Sequence, residues 1–363
     1  MNIDELLKMM VEKRASDLHL KVGSPPTLRL EKEIVPLELP PLTPADTERM
    51  AFSILSEERK EFFLNKREID LAYSVPGVGR FRTNIFRQRN TIALALRWVS
   101  TEILSFEALH LPPVFKELSL SPRGFILISG TTSSGKSTTQ AAMINYINQQ
   151  RRCRVITIED PIEFLHKDKL SMISQREVGI DTESFSTAIR QVVRQDPDVI
   201  LIGEMRDAET FSVALSASET GHLVISTLHT ADVMQSIDRL LDFFPSAQHG
   251  QLRALLSLNL RAVTCQRLIS RADGKGRVPA VEVMIASPTV VKLVREDRMN
   301  KLPVAIQGGT TQGMQTFNQA LVKLVREGMV TEEEALTSSG NPESLRMNLK
   351  GIYLDEERTI LGE

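Results

Sequence analysis

Gly130-Thr-Thr-Ser-Ser-Gly135-Lys136-Ser137 decides how the rest of this sequence is read. Phe125-Ile-Leu-Ile128 precedes it, an apolar run suited to a buried parallel strand and far too short to cross a membrane. Behind it, Ala142, Met143, Tyr146 and Ile147 recur at helical spacing between Thr138 and Gln149. Strand, glycine loop and helix start form the setting in which G-x-x-x-x-G-K-[ST] carries a mechanism. The glycines let the backbone close around a phosphate chain, while loop N–H groups and the helix N-terminus attract anionic oxygens. Lys136 is then placed for the β- and γ-phosphates, and the Ser137 hydroxyl for the Mg²⁺ shell. The expected nucleotide-binding residues are Gly130, Thr131, Thr132, Ser133, Ser134, Gly135, Lys136, Ser137 and Thr138.

The 363 residues suggest two or three domains around at least one large core, and 42% hydrophobic with 25% charged residues is ordinary for a soluble globular chain. A formal net charge of −2 supplies no global field to draw in nucleic acid. Cys153 and Cys265 cannot build a disulfide framework or a four-cysteine zinc site, so reduced thiols are expected. No apolar run approaches the length of a membrane span, and the acidic start (Asp4, Glu5) lacks the features of a secretion signal. These features point to a cytoplasmic protein without a transmembrane segment, able to dock on a membrane complex.

Residues 1–110 read as a small α+β domain. Ile3, Leu6, Leu7, Met10 and Val11 give an amphipathic opening helix, and Thr43 is a plausible N-cap for a helix near residues 45–55. Strands are expected at 17–21, 27–30, 69–75, 79–86 and 91–99, with Val75-Pro-Gly-Val78 as a turn. Residues 111–123, rich in proline, form the linker. From 124 to 363, strands at 125–129, 154–158, 199–202 and 223–227 alternate with helical stretches. This is an α/β pattern that implies a mostly parallel sheet with its site at the strands' carboxyl ends. Beyond about Gln248 the chain reads as largely helical, with Leu252, Leu255, Leu256, Val263 and Leu268 as core-type helix residues.

Two acidic stretches follow strands. Glu159-Asp-Pro-Ile-Glu163 ends the run Val155–Ile158; it either holds Mg²⁺ or orients water, or is a solvated loop. Val199-Ile-Leu-Ile202 leads to Gly203-Glu204, in the form of a Walker B strand with Glu replacing the usual Asp. Glu204 is then a Mg²⁺ ligand, partly through water, or the general base. His222 and His229 bracket the strand 223–227, roughly 20 Å apart if extended, so they cannot share a metal. His229, at the carboxyl end, can sense the γ-phosphate or serve structure alone. Arg80, Arg82, Arg87, Arg89 and Arg97 lie near Phe81 and Phe86, either as a nucleic-acid surface or as charges for phosphoryl transfer. Without Ser-Gly-Gly-Gln glycines, and with only Asn65-Lys-Arg-Glu68 near a guanine-reading motif, ATP is favoured over GTP.

Several motifs occur in order: Ala15-Ser-Asp-Leu-His-Leu20, the 130–137 loop, Ile156-Thr-Ile-Glu-Asp-Pro-Ile-Glu163, Gln175-Arg-Glu-Val178, Asp196 through Asp207, and Thr220-Gly-His-Leu-Val-Ile-Ser-Thr-Leu-His-Thr230. Over nearly the whole chain they resemble the type IV pilus retraction ATPases of the PilT/PilU family, in the secretion-ATPase superfamily. The resemblance implies a PAS-like N-terminal domain, a RecA-like P-loop ATPase domain and a helical C-terminal extension from about residue 280. It implies a homohexameric motor that uses ATP and Mg²⁺ to power pilus retraction and twisting motility. The motor would act at the inner face of the cytoplasmic membrane, on a pilus platform protein and alongside a paralogous retraction ATPase, with no nucleic acid. Glu159–Glu163 would be the Asp box, Glu204 the Walker B glutamate, and His222 and His229 the His-box residues. Glu163 or Glu204 would be the general base, with Lys136, His229, Arg82 and Arg97 also in the catalytic set, and Arg80 a weaker candidate.

The chain starts directly at the PAS-like domain and lacks the zinc module of type II secretion ATPases. Thr289-Val-Val-Lys-Leu-Val-Arg-Glu296 looks like a diverged form of the family's C-terminal retraction motif, which leaves main motor and accessory ATPase both open. The family loop is Gly-Pro-Thr-Gly-Ser-Gly-Lys-Ser. Here Thr131 replaces Pro and Ser133 replaces Gly, so a positive φ at 133 would bring strain and slower turnover. The alternatives to a retraction motor are a RecA-like DNA translocase and a weakly hydrolysing ring subunit.

Overall fold

The structure, a computed structural model, describes residues 2–30, 33–99 and 102–352. The chain divides into two compact units, Met1–Glu102 with Pro161–Leu165, and Ile103–Asp160 with His166–Glu363.

The first unit carries one antiparallel sheet. Its strands are β1 (Asp17–Leu20), β2 (Thr27–Leu30), β3 (Glu33–Pro36), β4 (Glu68–Val75), β5 (Gly79–Gln88) and β6 (Thr91–Val99), in the order β3-β2-β1-β6-β5-β4. The opening helix Ile3–Glu12 starts at a reciprocal cap between Asn2 and Glu5 and buries Ile3, Leu6, Leu7 and Met10. Thr43 caps the helix Pro44–Ser53 as its spacing from Asp46 suggests. Sequence reading passes over β3 and the helix Glu57–Lys66 for a physical reason. That helix buries only Phe63, so it has no apolar stripe to read.

The second unit is built on β7 (Gly124–Ser129), β8 (Arg154–Glu159), β9 (Met172–Glu177), β10 (Val199–Ile202), β11 (Leu223–Leu228), β12 (Leu260–Ser270) and β13 (Arg277–Ile285). The order is β13-β12-β7-β11-β10-β8-β9, and every pairing is parallel except β12 with β13. The central strands β7, β10 and β11 are buried at every position, which is why Phe125–Ile128, Val199–Ile202 and Leu223–Ile225 read as apolar runs. Phe211, on the helix Ala208–Glu219, packs edge-on to Phe125 and Phe244 with ring centres 6.0 and 5.8 Å apart.

The stretch after Gln248 differs from its reading. Leu252, Leu255 and Leu256 do lie in a helix, His249–Asn259, but Val263 and Leu268 lie in β12. No glycine or proline separates the helix from the strand, so nothing in the spacing marks the change. Tertiary pairing decides it: β12 joins β7 on one side and runs antiparallel to β13 from Ala262 to Ser270 on the other. Helices resume at Pro288–Arg295, which holds most of the diverged C-terminal motif.

Glu282 on β13 is largely buried, and its Oε2 accepts a hydrogen bond from Val233 N (2.9 Å) at the start of the helix Val233–Leu241. Burial pushes its carboxyl up to about 7 from an ordinary 4.5; Asp232 adds to the rise, while the Val233 N–H and Arg267 oppose it. A raised folded-state value means the group's stabilisation is complete below pH 4.5 and is lost as pH climbs to about 7. Glu282→Gln should therefore lose less stability than the native protein between pH 5 and pH 8, by about 2 kcal/mol in urea unfolding. Equal pH dependence of the two proteins would contradict this.

Candidate nucleotide site

Parallel register brings the site together. Ser129 on β7 lies level with Leu228 on β11, and Ile202 on β10 lies level with Ile158 on β8. The residues that follow, Gly130, His229, Gly203-Glu204 and Glu159-Asp160, therefore emerge along one edge of the sheet. Gly203 lets β10 end close against β8. A Cβ there would sit 3.3 Å from both Glu159 Cα and Ile158 O, and Gly203 N donates to Ile158 O at 2.7 Å.

The 130–138 loop has the shape its sequence implies. Gly130 has φ 149°, and a Cβ there would meet Ser134 Oγ at 2.4 Å and Gln266 O at 2.5 Å. Gly135, at φ 91°, is the N-cap of the helix Lys136–Gln150. Ser133 takes φ 62°, so the serine in place of the family glycine does sit in the left-handed region, at about 1 kcal/mol of strain. Lys136 is only 8% exposed, and its Nζ donates to Gly130 O (2.7 Å) and Thr131 O (3.0 Å).

The same Nζ lies 3.4 Å from His229 Nδ1, and His229 Nε2 lies 3.3 Å from Glu204 Oε1. An ammonium can only donate, so Nδ1 accepts and the ring proton sits on Nε2, facing the carboxylate. Burial lowers the His229 pKa, Lys136 and Arg206 lower it further and Glu204 opposes them, so the imidazole is neutral at physiological pH. Glu204 Oε2 accepts from Arg206 Nε at 3.0 Å, and Arg206 Nη1 reaches Asp160 Oδ2 at 3.1 Å. Arg206 also lies over the Phe185 ring, 5.8 Å from its centre. Lys136, His229, Glu204, Arg206 and Asp160 thus form one continuous polar chain across three strand ends.

Of the residues singled out from sequence, this unit brings together Lys136, Ser137, Glu204 and His229. Glu163, Arg82 and Arg97 belong to the first unit and are not part of that chain. Arg82 stands opposite Arg97 across β5 and β6, and Arg97 Nε donates to Asp17 Oδ1 at 2.8 Å. His222, at the other end of β11 from His229, donates from Nδ1 to Ala217 O at 2.8 Å and closes the end of the preceding helix. Sequence reasoning missed Arg206, although it stands two residues beyond Glu204. It also missed Gln266, which nothing in the local pattern marks.

Among the described residues no three histidine, cysteine or acidic side chains gather into a metal site of their own, so a hard divalent cation here would draw further oxygens from the nucleotide. The Ser137 hydroxyl begins the loop helix, while Glu159, Asp160 and Glu204 end neighbouring strands. Glu159 Oε1 is held by Thr157 Oγ1 (2.6 Å) and Gln175 Nε2 (3.1 Å), and Thr227 Oγ1 donates to Gly203 O at 2.7 Å. The carboxylates are thereby oriented by the protein itself.

Residues 80–335 match the family described as "Type II/IV secretion system protein". The chain is 43% identical to the type IV pilus retraction ATPase PilT of Pseudomonas aeruginosa, over 95% of this chain and all of that protein. It is 41% identical to the type IV pilus ATPase PilU of the same organism, over 96% of this chain and 92% of the relative. A crystal structure of the pilus retraction motor PilT with bound ADP superposes with a TM-score of 0.89 at 44% identity, covering 95% of this chain and 99% of that one. This chain belongs to the type II/IV secretion system protein family, among its PilT- and PilU-like members.

Proposed function

We infer that this chain is an ATPase that powers type IV pilus retraction. The observation that carries the reading is the polar chain from Lys136 through His229 to Glu204 at the mouth of a phosphate loop, in a protein matching a pilus retraction ATPase over that relative's whole length. Phosphoryl transfer asks mainly for positioning and charge stabilisation. The loop N–H groups and Lys136 take the phosphates, Lys136 exchanging its carbonyl bonds for phosphate oxygens. Glu204 holds and deprotonates the attacking water, with His229 Nε2–H and Arg206 fixing its two oxygens. Because Nδ1 of His229 faces Lys136, movement of the lysine onto a γ-phosphate is felt directly at Glu204. Ser137 and Glu204 would hold Mg²⁺, which would supply charge neutralisation at the β- and γ-phosphates.

Further roles rest on the resemblance: Glu163 as the alternative base, Arg82 and Arg97 as charges brought to ATP on domain closure, a homohexameric ring, and a cytoplasmic place beneath a membrane platform. The bond of Arg97 to Asp17 is made through Nε, one of the five guanidinium donors. Among the described residues no helix is long and apolar enough to cross a membrane. An accessory, PilU-like role is the second reading, supported by the near-equal identity to PilU and by the strained Ser133.

Measuring ATP turnover and oligomer mass on one purified sample tests the reading. Ring-sized particles with steady hydrolysis are expected, whereas nucleotide binding without turnover would favour the accessory role. Lys136→Ala should abolish turnover with unchanged circular dichroism; retained turnover would remove the loop from the mechanism. Glu204→Gln should still bind ATP but hydrolyse it roughly 100-fold or more slowly. An unchanged kcat would shift the base to Glu163.

A further inference from the structure

Gln266 lies on β12, outside every motif that marks the nucleotide site, yet it is one of the most tightly enclosed polar side chains of its unit, 1% exposed. Its Nε2 donates to Ser134 O at 2.7 Å, and its Oε1 accepts from Thr139 Oγ1 at 3.0 Å. Its backbone carbonyl, with Ser134 Oγ, is what a Cβ on Gly130 would strike, and its Nε2 lies 3.0 Å from where a Cβ on Gly135 would stand. One residue therefore touches the loop at both glycines and at the first turn of its helix.

The bond to Ser134 O controls more than that oxygen. In a trans peptide plane the carbonyl and the following N–H point in opposite directions. With Ser134 O turned to Gln266, the Gly135 N–H is turned away from β12. Gly135, at φ 91° and without a Cβ, offers little resistance to a flip of this plane, which would present a carbonyl in place of a donor. Thr139 Oγ1 can donate or accept, so it holds the far end of the amide in either orientation; Ser134 O, which can only accept, is the partner that keeps Nε2 facing the loop.

We propose that Gln266 is a positioning residue for nucleotide binding, which locks the Ser134–Gly135 peptide in the orientation that offers the Gly135 N–H to a phosphate. The proposal rests on the 130–138 loop being the phosphate site. Ser133, where the family loop has glycine, stands directly before this plane at φ 62°.

ADP titrated calorimetrically against the full-length protein tests it. Gln266→Leu, close in volume, should weaken ADP by about tenfold, as expected when a buried carbonyl loses its donor and the plane is freed. Gln266→Glu adds a readout that a merely structural role would not move. While protonated, the introduced carboxyl can donate to Ser134 O and ADP affinity stays near that of the native protein. Once ionised it repels that carbonyl, so affinity falls as pH rises, while the native protein changes little over the same range. This pH titration uses one folded sample and stands even if Gln266→Leu does not fold. Native-like ADP affinity in both variants at every pH would overturn the proposal. Lys136→Ala run alongside separates the two readings. If it loses ADP while the Gln266 variants keep it, only the role of Gln266 falls; if it too binds normally, the loop assignment itself fails.

Discussion

The site depends on the parallel alignment of β7, β11, β10 and β8. Because neighbouring strands run the same way and in register, the chain leaves all of them at one edge, and residues as far apart in sequence as Lys136, Asp160, Glu204 and His229 meet there. No single strand has to be unusual for this to happen. What each must do is stay buried along its length and end at the right residue. The all-apolar runs 125–128 and 199–202 provide the first, and the glycines at 130 and 203 the second.

On that edge the groups are arranged as donor, relay and acceptor. Lys136 is an obligate donor, Glu204 an acceptor, and neutral His229 fits between them in only one tautomer. Arg206 completes the chain by tying Glu204 to Asp160, so the ends of β10 and β8 share one charged network. The chemistry therefore needs few residues in direct contact with phosphate, and more that keep those few pointing the right way.

Much of this was legible in the sequence, because the loop, the Val199–Ile202 strand and the apolar spacing of the opening helix each carry a local physical signal. What was not legible is long-range. Gln266 joins the site only because β12 pairs with β7, and β12 itself was hidden behind a helix that runs into it without a break. The helix Glu57–Lys66 is polar nearly all round, so burial gave no periodicity to read. Arg82 and Arg97 could be seen to share a neighbourhood, and they do face each other across two strands. That Arg97 Nε bonds Asp17 follows from β1 lying beside β6, which spacing does not reveal.

Ser133 has a consequence for how this loop can diversify. A backbone turned to φ 62° accepts glycine and unbranched side chains, as Arg14, Arg67 and His110 show at φ 54°, 67° and 53°, but a β-branched one collides with its own main chain. The position written as a free letter in the loop motif is therefore largely closed to valine, isoleucine and threonine. Descendants of this sequence can drift at 131 or 132 far more readily than at 133.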